Sequence, residues 1–203
     1  MRHLAIGLSL LALTACGEKA ARDATSDTGN YAMATEAKME DAAGRTLGAG
    51  GAAAPGTATD YVTKAALGDM YEIESSKLAL TKAQSPAVKK FAQQMIDDHT
   101  ATTAKIEATV AQQRLNITPP AALDDRRRGM IANLNGLSGT DFDRTYLDQQ
   151  TAAHQEALLL HKGFAEGGDN GALKGVAAEI APNVEHHLAM VKQLDEQGAD
   201  GTR

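Results

Sequence analysis

Four long stretches of the sequence carry apolar residues at intervals of three and four, the period of an α-helix with one buried face. In the first stretch these positions are Val62, Ala66, Met70, Ile73 and Leu80. The residue types agree with helix, because alanine is the commonest residue, aromatic residues make up 3% and tryptophan is absent. A β-sandwich or barrel would need many more β-branched and aromatic side chains. The sequence therefore predicts an all-α protein.

Helix-breaking residues divide the pattern into four long helices and a short one. The predicted bounds are about 60–83, 86–114, 140–166 and 170–197, with the short helix near 123–134. Each of the pairs 1–2 and 3–4 is joined by about two residues and should form an antiparallel hairpin, whereas about 25 residues join the two hairpins. This predicts a ferritin-like four-helix bundle with a short extra helix in the crossover between helices 2 and 3. A plain up-down bundle is the alternative.

The N-terminus has the pattern of an export signal. Met1–His3 is short and basic, residues 4–13 are apolar, and Leu13-Thr14-Ala15-Cys16 follows. About ten apolar residues are too few for a transmembrane helix, which needs roughly 20, but they suit a signal peptide. The motif ending at Cys16 resembles a bacterial lipobox, in which the chain is cut before a cysteine that is then acylated. An ordinary secretory signal with a chance cysteine is the alternative.

These features predict the domain organisation and the location. We expect a lipoprotein signal peptide over 1–15, an acylated Cys16 and flexible tether over 16–58, the bundle over 59–198 and a disordered tail over 199–203. The tether is rich in small and polar residues and cannot bury enough apolar surface to offset the entropy of ordering. In such lipoproteins an Asp after the cysteine causes retention at the inner membrane. Gly17 in its place predicts an outer-membrane anchor with the bundle on the periplasmic side.

Charge and motif content exclude several classes of function. The formal net charge is −6, so nucleic acid is not an expected partner. The single cysteine excludes an intramolecular disulfide and a cysteine-based zinc site. No serine-hydrolase elbow, zinc-protease motif or dinucleotide loop is present, so no catalytic residue is predicted and an enzyme is less expected than a binding protein. The expected partners are the membrane, through Cys16, and an envelope protein, while the oligomeric state stays open.

Three of the predicted helices carry a histidine on the apolar stripe near the middle of the helix, namely His99, His154 and His187. The first helix has Glu72 and Glu74 near its midpoint. At a rise of about 1.5 Å per residue, all these positions fall within about one turn of mid-height, and middle residues meet whichever way each helix runs. Three imidazoles and a carboxylate suit a transition metal such as Zn, Fe, Mn or Cu, and bundle cores hold sites of this kind.

Further polar residues could complete such a site. Three carboxylates could act as ligands or accept a hydrogen bond from a histidine ring N–H, namely Asp98, Glu156 and Glu185. Tyr146 could face the same layer. His161 and His186 are expected at the surface or in supporting positions. The glutamates of a Glu-x-x-His motif are absent, which argues against di-iron oxidase chemistry. The alternative to a metal site is a buried polar network that fixes the register of the helices.

Several segments resemble the bacterial envelope family called domain of unknown function 4142. They are Gly68–Ala79, Phe91–His99, Phe142–His154 and Pro182–Leu188, and the resemblance spans about Asp60–Leu194. It implies a ferritin-like fold, an export or lipoprotein signal and no established activity. It also implies Glu72, His99, His154 and His187 as the motif positions.

The sequence thus supports two main hypotheses. The first is a periplasm-facing lipoprotein that binds a transition metal at Glu72, His99, His154 and His187. The second is a non-catalytic envelope module that binds a partner protein or peptidoglycan and uses the buried histidines only for register. An oxidoreductase ranks third, because the Glu-x-x-His motif is missing.

Overall fold

The computed structural model describes residues 56–199, and within them it contains five helices and no strand. The helices are α1 (Ala58–Lys82), α2 (Pro86–Gln112), α3 (Asp125–Asn135), α4 (Gly139–Gly167) and α5 (Gly171–Ala199). The all-α prediction is confirmed. None of these helices is long and apolar enough to cross a membrane. The predicted signal peptide, the anchor at Cys16, nearly all of the tether and the end of the tail lie outside the described residues.

Polar side chains fix where the helices begin. Ser85 is the N-cap of α2, its hydroxyl accepts from the Val88 N–H, and Pro86 takes the first helical position, where no N–H is needed. Asp124 caps α3 in the same way. Thr57 caps α1 by accepting from the Asp60 N–H, so this helix begins two residues before the predicted start.

The packing of the long helices identifies the topology. α1 packs against α2 and α4, and α5 packs against α4 and α2, so α2 and α4 lie diagonally. The start of α1, the end of α2, the end of α4 and the start of α5 share one apolar cluster. α2 and α4 therefore run in the same direction, and the chain between them crosses the length of the bundle. This confirms the ferritin-like arrangement; the up-down alternative, with α2 and α4 as antiparallel neighbours, is wrong. The short helix α3 lies in this crossover and packs against α1 and α4.

Two apolar clusters fill the bundle, one at each end. At one end Tyr61 stacks on Phe164 with ring centroids 4.2 Å apart, and at the other Phe142 stacks on Tyr146 at 6.0 Å. Between the clusters lies a layer of buried polar side chains, which are Asp69, Glu72, Ser75, Ser76, His99, Gln150, His154 and His187. This polar layer is the most unusual feature of the core, because polar groups are buried at a cost unless they find partners.

The rotation of α1 differs from the prediction. Of the predicted stripe only Val62 is buried, and Ala66, Met70, Ile73 and Leu80 are half-buried. The inward face carries the polar layer instead, through Asp69, Glu72, Ser75 and Ser76. The apolar pattern indicates the wrong face because the middle of this helix buries polar rather than apolar side chains.

A buried carboxylate connects the two hairpins. Asp143 near the start of α4 accepts hydrogen bonds from the backbone N–H of Gln84 at 2.9 Å and of Ser85 at 2.8 Å. Its side chain is 1% exposed. These two N–H groups belong to the turn between α1 and α2, so Asp143 fixes that turn against the start of α4.

Candidate metal centre

Three helices bring one histidine each to the polar layer: His99 from α2, His154 from α4 and His187 from α5. In each of these helices a buried residue lies three or four positions before the histidine. The histidine therefore lies on the buried face of its helix. The ring centroids are 5.6 Å apart for His99 and His154, 5.8 Å for His99 and His187, and 5.5 Å for His154 and His187. One nitrogen of each ring lies within 4.8 Å of those of the other two.

One nitrogen of each ring forms a hydrogen bond with a neighbouring oxygen atom. His99 Nδ1 donates to Asp69 Oδ1 at 2.8 Å, and His187 Nε2 donates to Asp98 Oδ2 at 2.9 Å. His154 Nδ1 donates to the backbone carbonyl of Gln150 at 2.8 Å. All three acceptors lack a proton to give, so in each neutral ring the proton sits on the bonded nitrogen. The opposite nitrogens, His99 Nε2, His154 Nε2 and His187 Nδ1, are buried and have no hydrogen-bond partner.

Burial and neighbouring charges set the protonation of the rings. Burial, helped by the charge on His99, lowers the pKa of His154 to about 3, so this ring is neutral at physiological pH. Burial and the charge on His99 also lower the pKa of His187, against the opposing effect of Asp98. Burial acts to lower the pKa of His99, but the hydrogen bond and charge of Asp69 outweigh it and the pKa is raised. Metal binding at this layer would therefore compete with a proton mainly at His99.

Glu72 lies beside the histidines but not among the atoms that could share an ion with them. Its Oε1 is 3.7 Å from His154 Nδ1, the nitrogen that already donates to the Gln150 carbonyl. Its Oε2 is buried without a partner. Burial raises the pKa of Glu72 to about 7. Of the four sequence-predicted ligands, the structure thus brings three together and places the fourth behind the ring of His154.

The other predicted supporting residues divide into two groups. Asp98 holds His187, and Tyr146 is buried but bonds to Ser76 at 2.8 Å rather than to a histidine. Glu74, also expected in a supporting position, and Glu185 are both exposed. Each lies two positions from a residue of the layer, which turns it about 200° around the helix. Glu185 pairs with Lys162, and Glu156 pairs with Arg126 and Arg127.

Sequence reasoning missed Asp69 as a residue of the site. Its two oxygens accept from His99 Nδ1 at 2.8 Å and from Thr103 Oγ1 at 2.9 Å, so it orients His99 and is itself fixed. One signal was available: Asp69 precedes Glu72 by three positions and therefore shares its helix face.

His161 is also placed differently from the prediction. His161 belongs to α4 and is buried against the start of α1. Its Nδ1 forms a hydrogen bond of 3.0 Å with the hydroxyl oxygen of Tyr61. Burial lowers the pKa of His161 to about 4. His186, by contrast, is exposed as predicted.

The buried His161 should make stability depend on pH. In the unfolded chain its pKa is near 6.5, so between that value and about 4 the unfolded state binds more protons and the free energy of unfolding falls as pH falls. Between pH 7 and pH 5 the wild type should lose about 2 kcal/mol more stability than His161→Gln. Urea unfolding of both proteins at the two pH values measures this difference, and equal losses would contradict it.

Solved structures of other proteins share this fold. CopM in a Cu(II)-bound form is 19% identical, with a TM-score of 0.60 over 70% of this chain and 97% of CopM. CopM in a silver-bound form is 21% identical, with a TM-score of 0.58 over 70% and 97%. A DUF305 fragment from Deinococcus radiodurans is 13% identical, with a TM-score of 0.61 over 69% and 95%. At these identities the likeness shows the fold.

The sequence itself matches a family. No curated protein matches the chain. The profile of the family described as "Domain of unknown function (DUF4142)" matches residues 43–194. The match covers the four segments noted above and begins before the bundle. The chain therefore belongs to the DUF4142 family.

Proposed function

We propose that this protein binds a single transition-metal ion, with copper as the preferred metal, on His99, His154 and His187. The observation that carries the proposal is the set of three buried ring nitrogens, one from each histidine, that have no hydrogen-bond partner. Three acceptors gathered in one place cannot satisfy one another, whereas a cation accepts all three at once.

The geometry of the layer fits such an ion. Metal–imidazole bonds are about 2.0–2.1 Å long, which puts three ligating nitrogens roughly 3.5 Å apart. The three nitrogens lie within 4.8 Å of one another, so each ring would move inward by a small shift. The hydrogen bonds to Asp69, Asp98 and the Gln150 carbonyl are typical supports of metal-binding histidines, since they fix both the tautomer and the ring orientation.

The same geometry argues against a network that serves only the register of the helices. Such a network is stabilising when each buried polar atom has a partner. Here Glu72 Oε2 and Gln150 Oε1 are unpartnered in addition to the three ring nitrogens. The choice of copper is supported by the donor set, since imidazole suits copper as well as zinc, and by the likeness to CopM, which was solved with Cu(II) and with silver.

The proposal includes a place in the cell. The export signal and the lipobox-like motif support removal of residues 1–15, acylation of Cys16 and a tether that holds the bundle on the periplasmic side of the outer membrane. No reaction is part of the proposal. The anchor is tested by fractionation, because Cys16→Ser should move the chain out of the membrane fraction.

Two neighbouring histidines allow a matched test of the metal site. His187→Gln should weaken binding of copper and zinc by about 100-fold or more, since changes even to residues that only support a ligand cost 10–100-fold. His186→Gln, one position away and exposed, should bind within about twofold of the wild type. Competition of the purified full chain against a chelator of known affinity measures both. Equal affinities of the two variants would contradict the proposal.

A further inference from the structure

A small cavity is lined both by exposed residues of the bundle surface and by residues of the polar layer. It lies between α1, α3 and α4 and has a volume of about 30 Å³, which is room for about two water molecules. Its lining includes the exposed Lys64 and Arg126 and the buried Arg127, Glu72 and His99. Of the three histidines of the layer, His99 contributes to the lining of this cavity.

A buried carboxyl group, that of Glu72, lines this cavity. Glu72 is 4% exposed, lines the cavity, and has Oε2 without a hydrogen-bond partner. Its other oxygen is 3.7 Å from His154 Nδ1. Glu72 thus lines the cavity together with His99 and lies close to His154, but it is not among the atoms that could share an ion with the histidines.

A guanidinium fixed by two ion pairs lines the same cavity. Arg127 is 7% exposed and donates through Nη1 to Asp124 at 2.6 Å and through Nη2 to Glu156 at 3.0 Å. Asp124 is the N-cap of α3, so these contacts hold the start of the short helix over the cavity. A cation in this cavity would meet both the guanidinium of Arg127 and the carboxyl group of Glu72.

We propose that this cavity is the access route for the metal ion, that Glu72 is the carboxylate that receives the ion and transfers it to the histidines, and that Arg127 sets the barrier to its passage. The inference rests on the proposed metal site. The transfer is an exchange of ligands on one cation, from a carboxylate oxygen to imidazole nitrogens, and it involves no change of oxidation state.

The roles of Glu72 and Arg127 predict opposite kinetic effects. Glu72→Gln should slow Cu(II) association by about tenfold, because a carboxylate in a narrow cleft raises the local concentration of cations, and it should not accelerate dissociation. Arg127→Gln should accelerate both association and dissociation by roughly threefold or more. Stopped-flow quenching of tyrosine fluorescence in the full chain follows both rates, since the protein has 4 tyrosines and no tryptophan.

Glu74→Gln is the matched control, because Glu74 is an exposed carboxylate on the same helix. Its rates should equal those of the wild type. Faster dissociation of Glu72→Gln with unchanged association would make Glu72 a ligand and overturn the inference, as would unchanged rates in both Glu72→Gln and Arg127→Gln. In either case the wild type would still bind one ion, so the proposed metal site would stand. A wild type that binds no Cu(II) would overturn both.

Discussion

Replacing His154 by leucine should weaken metal binding by about 1,000-fold, or roughly 4 kcal/mol, and leave the metal-free protein within about 1 kcal/mol of the wild type. His154 is fully buried, and its Nε2 has no partner. Its one hydrogen bond is to the Gln150 carbonyl, which the backbone of α4 can satisfy without it. Leucine is close to histidine in volume and removes an unpaired polar atom. Urea unfolding of the metal-free chain and metal competition measure the two effects.

This variant separates the two main hypotheses. A histidine that fixes the register of the helices contributes to stability in the absence of metal, so its loss should cost several kcal/mol. A metal-free His154→Leu protein that is destabilised by more than about 2 kcal/mol, with metal affinity unchanged, would assign the histidines to a structural network.

Replacing Asp143 by alanine should lower the free energy of unfolding by about 3 kcal/mol, because two hydrogen bonds to a buried carboxylate are lost together. The backbone N–H groups of Gln84 and Ser85 would remain without this acceptor. Asp141→Ala is the matched control, since Asp141 is exposed and pairs with Arg144 at the surface of the same helix. Urea unfolding should show a change of about 0.5 kcal/mol or less for the control. Equal changes in the two variants would show that Asp143 does not hold the turn.

The helices and the meeting of the three histidines could be predicted because both depend on local periodicity. A histidine on a buried stripe points inward whatever the direction of its helix, and His99, His154 and His187 all lie near mid-height. The crossover length then distinguishes the ferritin-like arrangement from the up-down bundle, since two hairpins joined by a long connection place α2 and α4 on a diagonal.

The acidic residues could not be assigned in the same way. The inner face of α1 is polar, so the apolar stripe predicted the wrong rotation of this helix, and only the three-residue spacing of Asp69 from Glu72 indicated that these two acidic residues share a face. Which oxygen meets which ring nitrogen depends on side-chain rotamers and on the neighbouring helix, and neither is encoded in spacing along one chain. The family resemblance implied Glu72 as a motif position, but only the structure shows it in the lining of the cavity rather than among the three nitrogens.

The central claim is that three imidazoles share one ion. X-ray absorption of the full chain, equilibrated with copper and freed of excess metal, tests it most directly together with elemental analysis. The expected result is one copper per chain with three imidazole nitrogens at about 2.0 Å. Less than about a tenth of an ion per chain, or an ion bound by oxygen atoms alone, would contradict the account.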